Sequence, residues 1–173
     1  MDERTTDPVL FPWRYGAGVL VFFTLCALIR SVDHDESQYV AAAVLTAHGY
    51  LPFRDFAYLQ TPLQPFLFAP VAWLAGPWVW PALRLVNATL GAVLVGCVWR
   101  AAREAGASAR AALIAAGLLA LSDILLFSIA TARNDALPAA LLAAALVPIV
   151  RAQQGRGSAG QAVLIGLLLA AAA

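Results

Sequence analysis

The chain has 173 residues, of which 62% are hydrophobic and 12% are charged, and its mean hydropathy is +0.78. Soluble domains are about half apolar and a quarter charged, so this composition is typical of an integral membrane protein. The net charge of +1 gives no electrostatic basis for nucleic-acid binding. All 11 basic residues are arginines, which excludes the phosphate-loop lysine of nucleotide hydrolases.

Several Ala- and Leu-rich apolar runs predict an all-α, polytopic transmembrane protein. Such runs favour helices, and only helices or closed barrels can span lipid. The predicted spans lie at about 15–30, 84–99, 111–128, 136–150 and 161–173. The last run has no closing polar segment, and this predicts that residues 1–173 are the N-terminal part of a longer membrane protein. Cys26 and Cys97 lie inside apolar runs, which indicates packing rather than a zinc site or a disulfide.

Residues 31–62 form a polar segment that we interpret as the first outer loop. Asp33 or Asp35 can cap a helix that runs to about His48, and Gly49 can end it. Tyr39 and the small apolar residues after it share one face, so this helix is predicted to lie flat on the membrane surface. The outer loop therefore carries an interfacial helix.

The next apolar segment, 63–81, contains four prolines and is predicted to be re-entrant or interfacial rather than a straight span. If this segment does not cross, the predicted inner side holds seven arginines and the outer side holds four. If it does cross, the ratio reverses. The positive-inside rule favours the first arrangement, with a cytoplasmic N-terminus and the loop 31–62 outside.

Charged residues in the outer loop have two interpretations. Asp33, Asp35 and Glu36 can cap the helix and favour its positive N-terminal end. Alternatively, one carboxylate can act as a general base, and the group can hold a divalent cation. His34 and His48 are interpreted as solvated loop residues. Arg54 and Asp55 are interpreted as a local ion pair rather than a catalytic pair.

Charged residues also fall near the later spans. Arg133, Asn134 and Asp135 follow one predicted span and precede the next. Asp135 is placed to cap the helix from Ala136, whereas Arg133 on the outer face suits a lipid-linked phosphate. Asp123 lies inside a predicted span, where it can line a cavity shared with these charged residues or pair with an arginine.

The order of these features resembles the GT-C superfamily of integral-membrane glycosyltransferases. The resemblance is to the branch with protein O-mannosyltransferases, lipid A aminoarabinose transferases and related bacterial enzymes that use polyprenyl-phosphate sugars. The matching motifs are Asp35-Glu36-x-x-Tyr39, Gly49-Tyr50-Leu51-Pro52-Phe53-Arg54-Asp55, Gln60-Thr61-Pro62-Leu63 and Ala132-Arg133-Asn134-Asp135-Ala136-Leu137.

The resemblance implies a glycosyltransferase in a bacterial plasma membrane with its active-site loop outside. Asp35 would be the catalytic base, and Glu36 would orient the acceptor or Asp35. The remaining motif residues would bind substrate, namely Tyr39, Arg54, Asp55, Arg133 and Asp135. A polyprenyl-phosphate-linked sugar would be the donor, and a lipid, glycan or protein the acceptor. No cofactor is fixed by the resemblance, although a divalent cation remains open.

Two other functional classes remain as alternatives. A transporter or lipid flippase is suggested by Asp123 within a span and by the proline-broken segment 63–81. A non-catalytic membrane fragment is suggested by the end of the sequence within an apolar run.

Overall fold

The computed structural model describes residues 11–173, which fold into helices and contain no β-strand. The all-α prediction is therefore confirmed for this part of the chain. The helices are α1 (Trp13–Ile29), α2 (Glu36–Ala47), α3 (Leu63–Ala75), α4 (Val79–Glu104), α5 (Ala109–Ala120), α6 (Asp123–Ile129), α7 (Ala136–Gln153) and α8 (Ala159–Ala172), with a 3-10 turn at Gly76–Trp78 before α4.

Two helical stretches among residues 11–173 are long and apolar enough to cross a membrane, namely Leu63–Glu104 and α7. The pair α5 and α6 would add a third if it formed one span, although its axes differ by 65°. The predicted single helix over 111–128 is thus broken. Ser122 lies at the break and donates its hydroxyl to the Leu119 carbonyl at 2.7 Å, which satisfies a carbonyl at the end of α5.

α3 folds back against the first turns of α4. Gly76 adopts φ 52° and ψ −119° at the junction, a conformation that favours glycine. Phe68 on α3 packs in the same buried cluster as Leu83 on α4. The amides of Gln64 and Asn87 both reach the Arg133 carbonyl, which brings the start of α3 beside α4. Residues 63–81 are thus divided at Gly76, and their path relative to a bilayer stays a prediction.

The long helices alternate in direction around α4. α1 runs antiparallel to α4, since the Ala27 carbonyl meets Arg84 while Phe11 stacks on Trp99. α7 runs parallel to α4, since the loop before it reaches Asn87 and Arg151 at its other end reaches Glu104. We call the two ends of the bundle the Arg84 end and the Glu104 end.

Glycine permits the closest helix contact in the core. A Cβ on Gly91 of α4 would lie 2.5 Å from Cγ2 of Ile129 on α6 and 3.2 Å from the Phe23 ring on α1. Ile129 and Phe23 are fully buried. Gly91 therefore lets three helices meet just below the Arg84 end, where the polar loops converge.

Candidate carboxylate and arginine site

Three aspartates converge on Arg133 at the Arg84 end. Nη1 of Arg133 donates to Asp33 at 2.8 Å and to Asp35 at 2.7 Å, and Nε donates to Asp135 at 3.0 Å. The Arg133 side chain is 18% exposed, whereas that of Asp35 is 43% exposed. We call these four residues the Arg133 cluster. The cluster joins the loop before α2 to the loop before α7 and keeps Asp35 open to solvent.

Aromatic rings flank this guanidinium. Cζ of Arg133 lies 5.3 Å from the centre of the Phe127 ring and 5.8 Å from that of Tyr39. Arg30 lies over the Phe127 ring as well, at 4.8 Å. Guanidinium groups are attracted to aromatic faces, so these rings help to hold both arginines in place.

Beneath the cluster, Arg84 and Glu36 form a buried ion pair. Nε and Nη2 of Arg84 donate to the two carboxylate oxygens of Glu36 at 2.7 and 2.6 Å. Nη1 donates to the carbonyls of Ala27 and Arg30, and Nη2 also donates to that of Ser31. These five bonds match the five N–H donors of a guanidinium. Arg84 therefore ties the end of α1 to the start of α2.

The Glu36 carboxylate extends the same network to the loop before α7. Besides Arg84, it accepts the backbone N–H of Ala132 at 2.5 Å and that of Asp33 at 2.9 Å. The Glu36 residue is fully buried. Burial alone would raise the pKa of Glu36, but the hydrogen bonds from Arg84 and the two backbone amides outweigh it and hold the pKa below the usual 4.5. Glu36 is therefore ionised at neutral pH and positions both loops.

Two buried amides hold the backbone of Arg133. Gln64 Nε2 and Asn87 Nδ2 donate to its carbonyl at 3.1 and 2.8 Å, and Asn87 also reaches the Thr131 carbonyl at 2.7 Å. The Tyr58 hydroxyl donates to Gln64 at 3.0 Å. The loop before α7 is thus fixed from α3 and from α4.

Charge interactions shift the pKa values in the Arg133 cluster. The hydrogen bond from Arg133 is the largest cause that holds the pKa of Asp33 below its usual value. Burial would lower the pKa of Arg133, but its bonds to Asp33, Asp135 and Asp35 outweigh this and raise it. The guanidinium therefore stays charged.

Asp35 and Asp135 stand at the predicted N-cap positions of α2 and α7, but their side chains do not cap the helices. Their carboxylates turn to Arg133 instead, where both partners of the hydrogen bond are charged. Asp33 Oδ1 accepts the Asp35 N–H at 3.1 Å and supports the turn before α2.

The remaining predicted residues lie further from Arg133. Arg54 and Asp55 form an exposed ion pair at 2.8 Å, which confirms the local interpretation, and Asp55 also accepts the Leu51 N–H. Their bonds stay within residues 51–55, so the structure does not bring the pair into the Arg133 cluster. His34 and His48 are exposed, as predicted.

Asp123 also lies outside the Arg133 cluster. It begins α6 and is exposed, and it lines a cavity of about 370 Å³ together with Arg30, Cys26 and Leu126. Among residues 11–173, no group of three or more His, Cys, Asp or Glu side chains is arranged to hold a metal ion. The three aspartates of the Arg133 cluster are held by the guanidinium.

The sequence predictions missed Arg84, Asn87 and Gln64. Each of these residues is at most 5% exposed, and each is polar in or beside an apolar run. A polar side chain in an apolar run is costly unless it has a hydrogen-bond partner. The presence of these polar residues in such runs was therefore the signal in the sequence. It indicates that a partner exists without identifying the partner.

No protein-family model, curated protein or solved structure matches this chain.

Proposed function

We propose that this chain is an integral membrane protein whose Arg84 end carries out glycosyl transfer from a polyprenyl-phosphate sugar. The observation that carries the proposal is the Arg133 cluster, where an exposed carboxylate is held beside a charged guanidinium on a buried polar network. Glycosyl transfer from a lipid phosphate needs a base, a group that meets the phosphate, and a fixed geometry between them.

The spacing of charges supports placement in a membrane. Glu104 lies 20 residues after Arg84 on the same helix, which corresponds to about 30 Å at 1.5 Å per residue. The hydrocarbon core of a bilayer is about 30 Å thick. The two polar ends of the bundle would therefore lie at opposite interfaces.

The distribution of arginines supports an outer Arg84 end. Four arginines lie at that end, namely Arg30, Arg54, Arg84 and Arg133. Six of the described arginines lie at the Glu104 end, namely Arg14, Arg100, Arg103, Arg110, Arg151 and Arg156. By the positive-inside rule, the Glu104 end faces the cytoplasm, and the cluster faces a lipid-linked donor from outside.

In the proposed reaction, Asp35 removes the proton from an acceptor hydroxyl or amine. The acceptor oxygen or nitrogen then forms a bond to the anomeric carbon, and the bond from that carbon to the phosphate oxygen breaks. Polyprenyl phosphate leaves with the electron pair, and the anomeric configuration inverts. Arg133 stabilises the negative charge on the departing phosphate.

The net charge of the cluster affects how a phosphate group could bind. One guanidinium and three carboxylates sum to −2, which repels a phosphate. A hard divalent cation would offset this charge if it were bound, with the exposed Asp35 carboxylate as a ligand from the cluster. Glu36 is occupied by Arg84 and takes a positioning role in this scheme.

Replacing Asp35 tests the proposal. The 173-residue chain in proteoliposomes is assayed for transfer of labelled sugar from polyprenyl-phosphate donors, with and without a chelator. We expect Asp35→Asn to reduce transfer by at least 100-fold, since general-base catalysis contributes about 10² to 10⁴. Asp123→Asn is the matched control and keeps transfer. Unchanged transfer in Asp35→Asn at equal protein levels would exclude Asp35 as the base.

A second candidate function is transport. The 65° break between α5 and α6 places Asp123 beside an open cavity with Arg30, and broken helices form binding sites in transporters. In that case Asp123→Asn abolishes substrate movement across the bilayer, whereas Asp35→Asn retains it. The same pair of variants therefore separates the two functions.

A further inference from the structure

A cluster of arginines at the Glu104 end has no part in the proposed reaction. The Glu104 carboxylate receives Arg100 at 2.7 Å, Arg151 at 2.7 Å and Arg156 at 3.0 Å. Its side chain is 6% exposed. The three arginines come from α4, from the end of α7 and from the turn before α8. The arrangement is thus built by tertiary packing around a buried acceptor.

This cluster carries excess positive charge. Arg151 and Arg156 share the one carboxylate of Glu104, so these three side chains sum to +1. The Gln154 side chain joins this cluster. Its Nε2 donates to the Glu104 carbonyl at 2.7 Å, and its oxygen accepts from Arg156. Like charges at this spacing repel each other, and an anion beside them reduces that repulsion.

Arg151 and Arg156 remain accessible to such an anion. Their side chains are 31% and 53% exposed. Within the described part of the chain, both meet the Glu104 carboxylate through Nη2. Both two-donor faces of a guanidinium include Nη2, which already meets Glu104, so Nε and Nη1 of each arginine serve as single donors to a second, external anion.

We propose that Arg151 and Arg156 bind the phosphodiester headgroup of an anionic phospholipid. The site rests on the membrane placement in the proposed function, which puts it at the cytoplasmic interface. Basic pockets between helices on that side suit anionic headgroups. The adjoining α8 has no buried residue and exposes apolar side chains including Val163 and Leu167, which suit the acyl chains.

This lipid is distinct from the proposed sugar donor. Its site lies about 30 Å from Arg84 along α4, at the opposite interface from Asp35. The headgroup helps to hold the end of α7 beside the turn before α8 by offsetting the repulsion between Arg151 and Arg156. The bound phospholipid has a structural role, as a boundary lipid that the protein retains.

Lipid titration tests the site. The 173-residue chain is placed in phosphatidylcholine nanodiscs with increasing phosphatidylglycerol, and retained lipid is counted by native mass spectrometry. We expect retention of phosphatidylglycerol over phosphatidylcholine, weakened about fivefold in Arg156→Gln and about 30-fold in Arg151→Gln/Arg156→Gln, from about 1 kcal/mol per arginine. Arg110→Gln removes one charge at the same end and is expected to change retention less than twofold.

Four outcomes overturn the proposal. These are equal retention of both lipids by the wild type, unchanged retention in the double variant, an equal loss in Arg110→Gln, and equal binding of soluble glycerol phosphate. Arg156→Lys keeps the charge and is the control for a loss of lipid caused by misfolding. We expect this variant to retain more lipid than Arg156→Gln. Alkaline extraction of the membrane tests separately whether the chain is an integral membrane protein. Absence of the lipid site would therefore not decide the outcome of the Asp35→Asn experiment.

Discussion

Replacing Arg84 by methionine isolates the contribution of the buried ion pair. Methionine has a similar length and keeps the packing of the aliphatic part, but it has no donor. The change would remove all five hydrogen bonds of the guanidinium and leave the Glu36 carboxylate charged in a site with no solvent exposure. Removing one partner of a buried pair costs about 3–5 kcal/mol, because the other charge is left uncompensated.

The measurement is the free energy of unfolding in detergent, followed by helical circular dichroism. We expect Arg84→Met to lower it by about 3–5 kcal/mol. The control is Arg54→Met, which breaks an ion pair whose arginine side chain is 66% exposed and should cost far less than Arg84→Met. The double variant Arg84→Met/Glu36→Leu should recover part of the loss, since it removes both charges.

Recovery in the double variant should stay incomplete. Three backbone carbonyls that now accept from Arg84 and two amides that now donate to Glu36 would lose their partners. Equal costs for Arg84→Met and Arg54→Met would refute the reasoning, because they would mean that the buried network contributes no more than a surface pair.

Two further predictions concern stability. Gly91→Ala should lower the free energy of unfolding by about 1–3 kcal/mol, because the added Cβ clashes with Ile129. Gly18→Ala is the control and should raise it by up to about 1 kcal/mol, because the space around its Cβ is open. Equal effects of the two changes in thermal unfolding would contradict the packing argument. Because the pKa of Glu36 is lowered from 4.5 in the folded state, its stabilisation is present above pH 4.5 and is lost as the pH falls through the folded value. Unfolding measured from pH 7 to 3 should therefore show a steeper acid loss in the wild type than in Glu36→Gln, and identical slopes would rule out this linkage.

The sequence was sufficient for the helical class and for several boundaries. Ala- and Leu-rich runs have strong helix propensity, and Gly49 ends α2 with φ 88°, as predicted. The prediction that the aspartates before α2 share one end with Arg133 agrees with their direct contact. That prediction depended on counting charges on alternating helices, which requires no knowledge of packing.

The partner of Glu36 could not be predicted in the same way. Arg84 lies 48 residues away, and its position against Glu36 depends on how α4 rotates and packs on α1. The break at Ser122 was hidden for a related reason, since the hydroxyl and the backbone N–H of Ser122 both donate to the Leu119 carbonyl, inside a run whose propensity favours a continuous helix. Local propensity and periodicity carry neither kind of information.

The bonds to Glu36 also imply an order of assembly. Arg84 and Glu36 lie within the first four helices and can pair once α4 has been synthesised. Ala132, whose amide completes the carboxylate, is synthesised 48 residues after Arg84. The Glu36 carboxylate can therefore already be in place when the loop before α7 is made, and the Ala132 N–H would then fix that loop against the earlier helices.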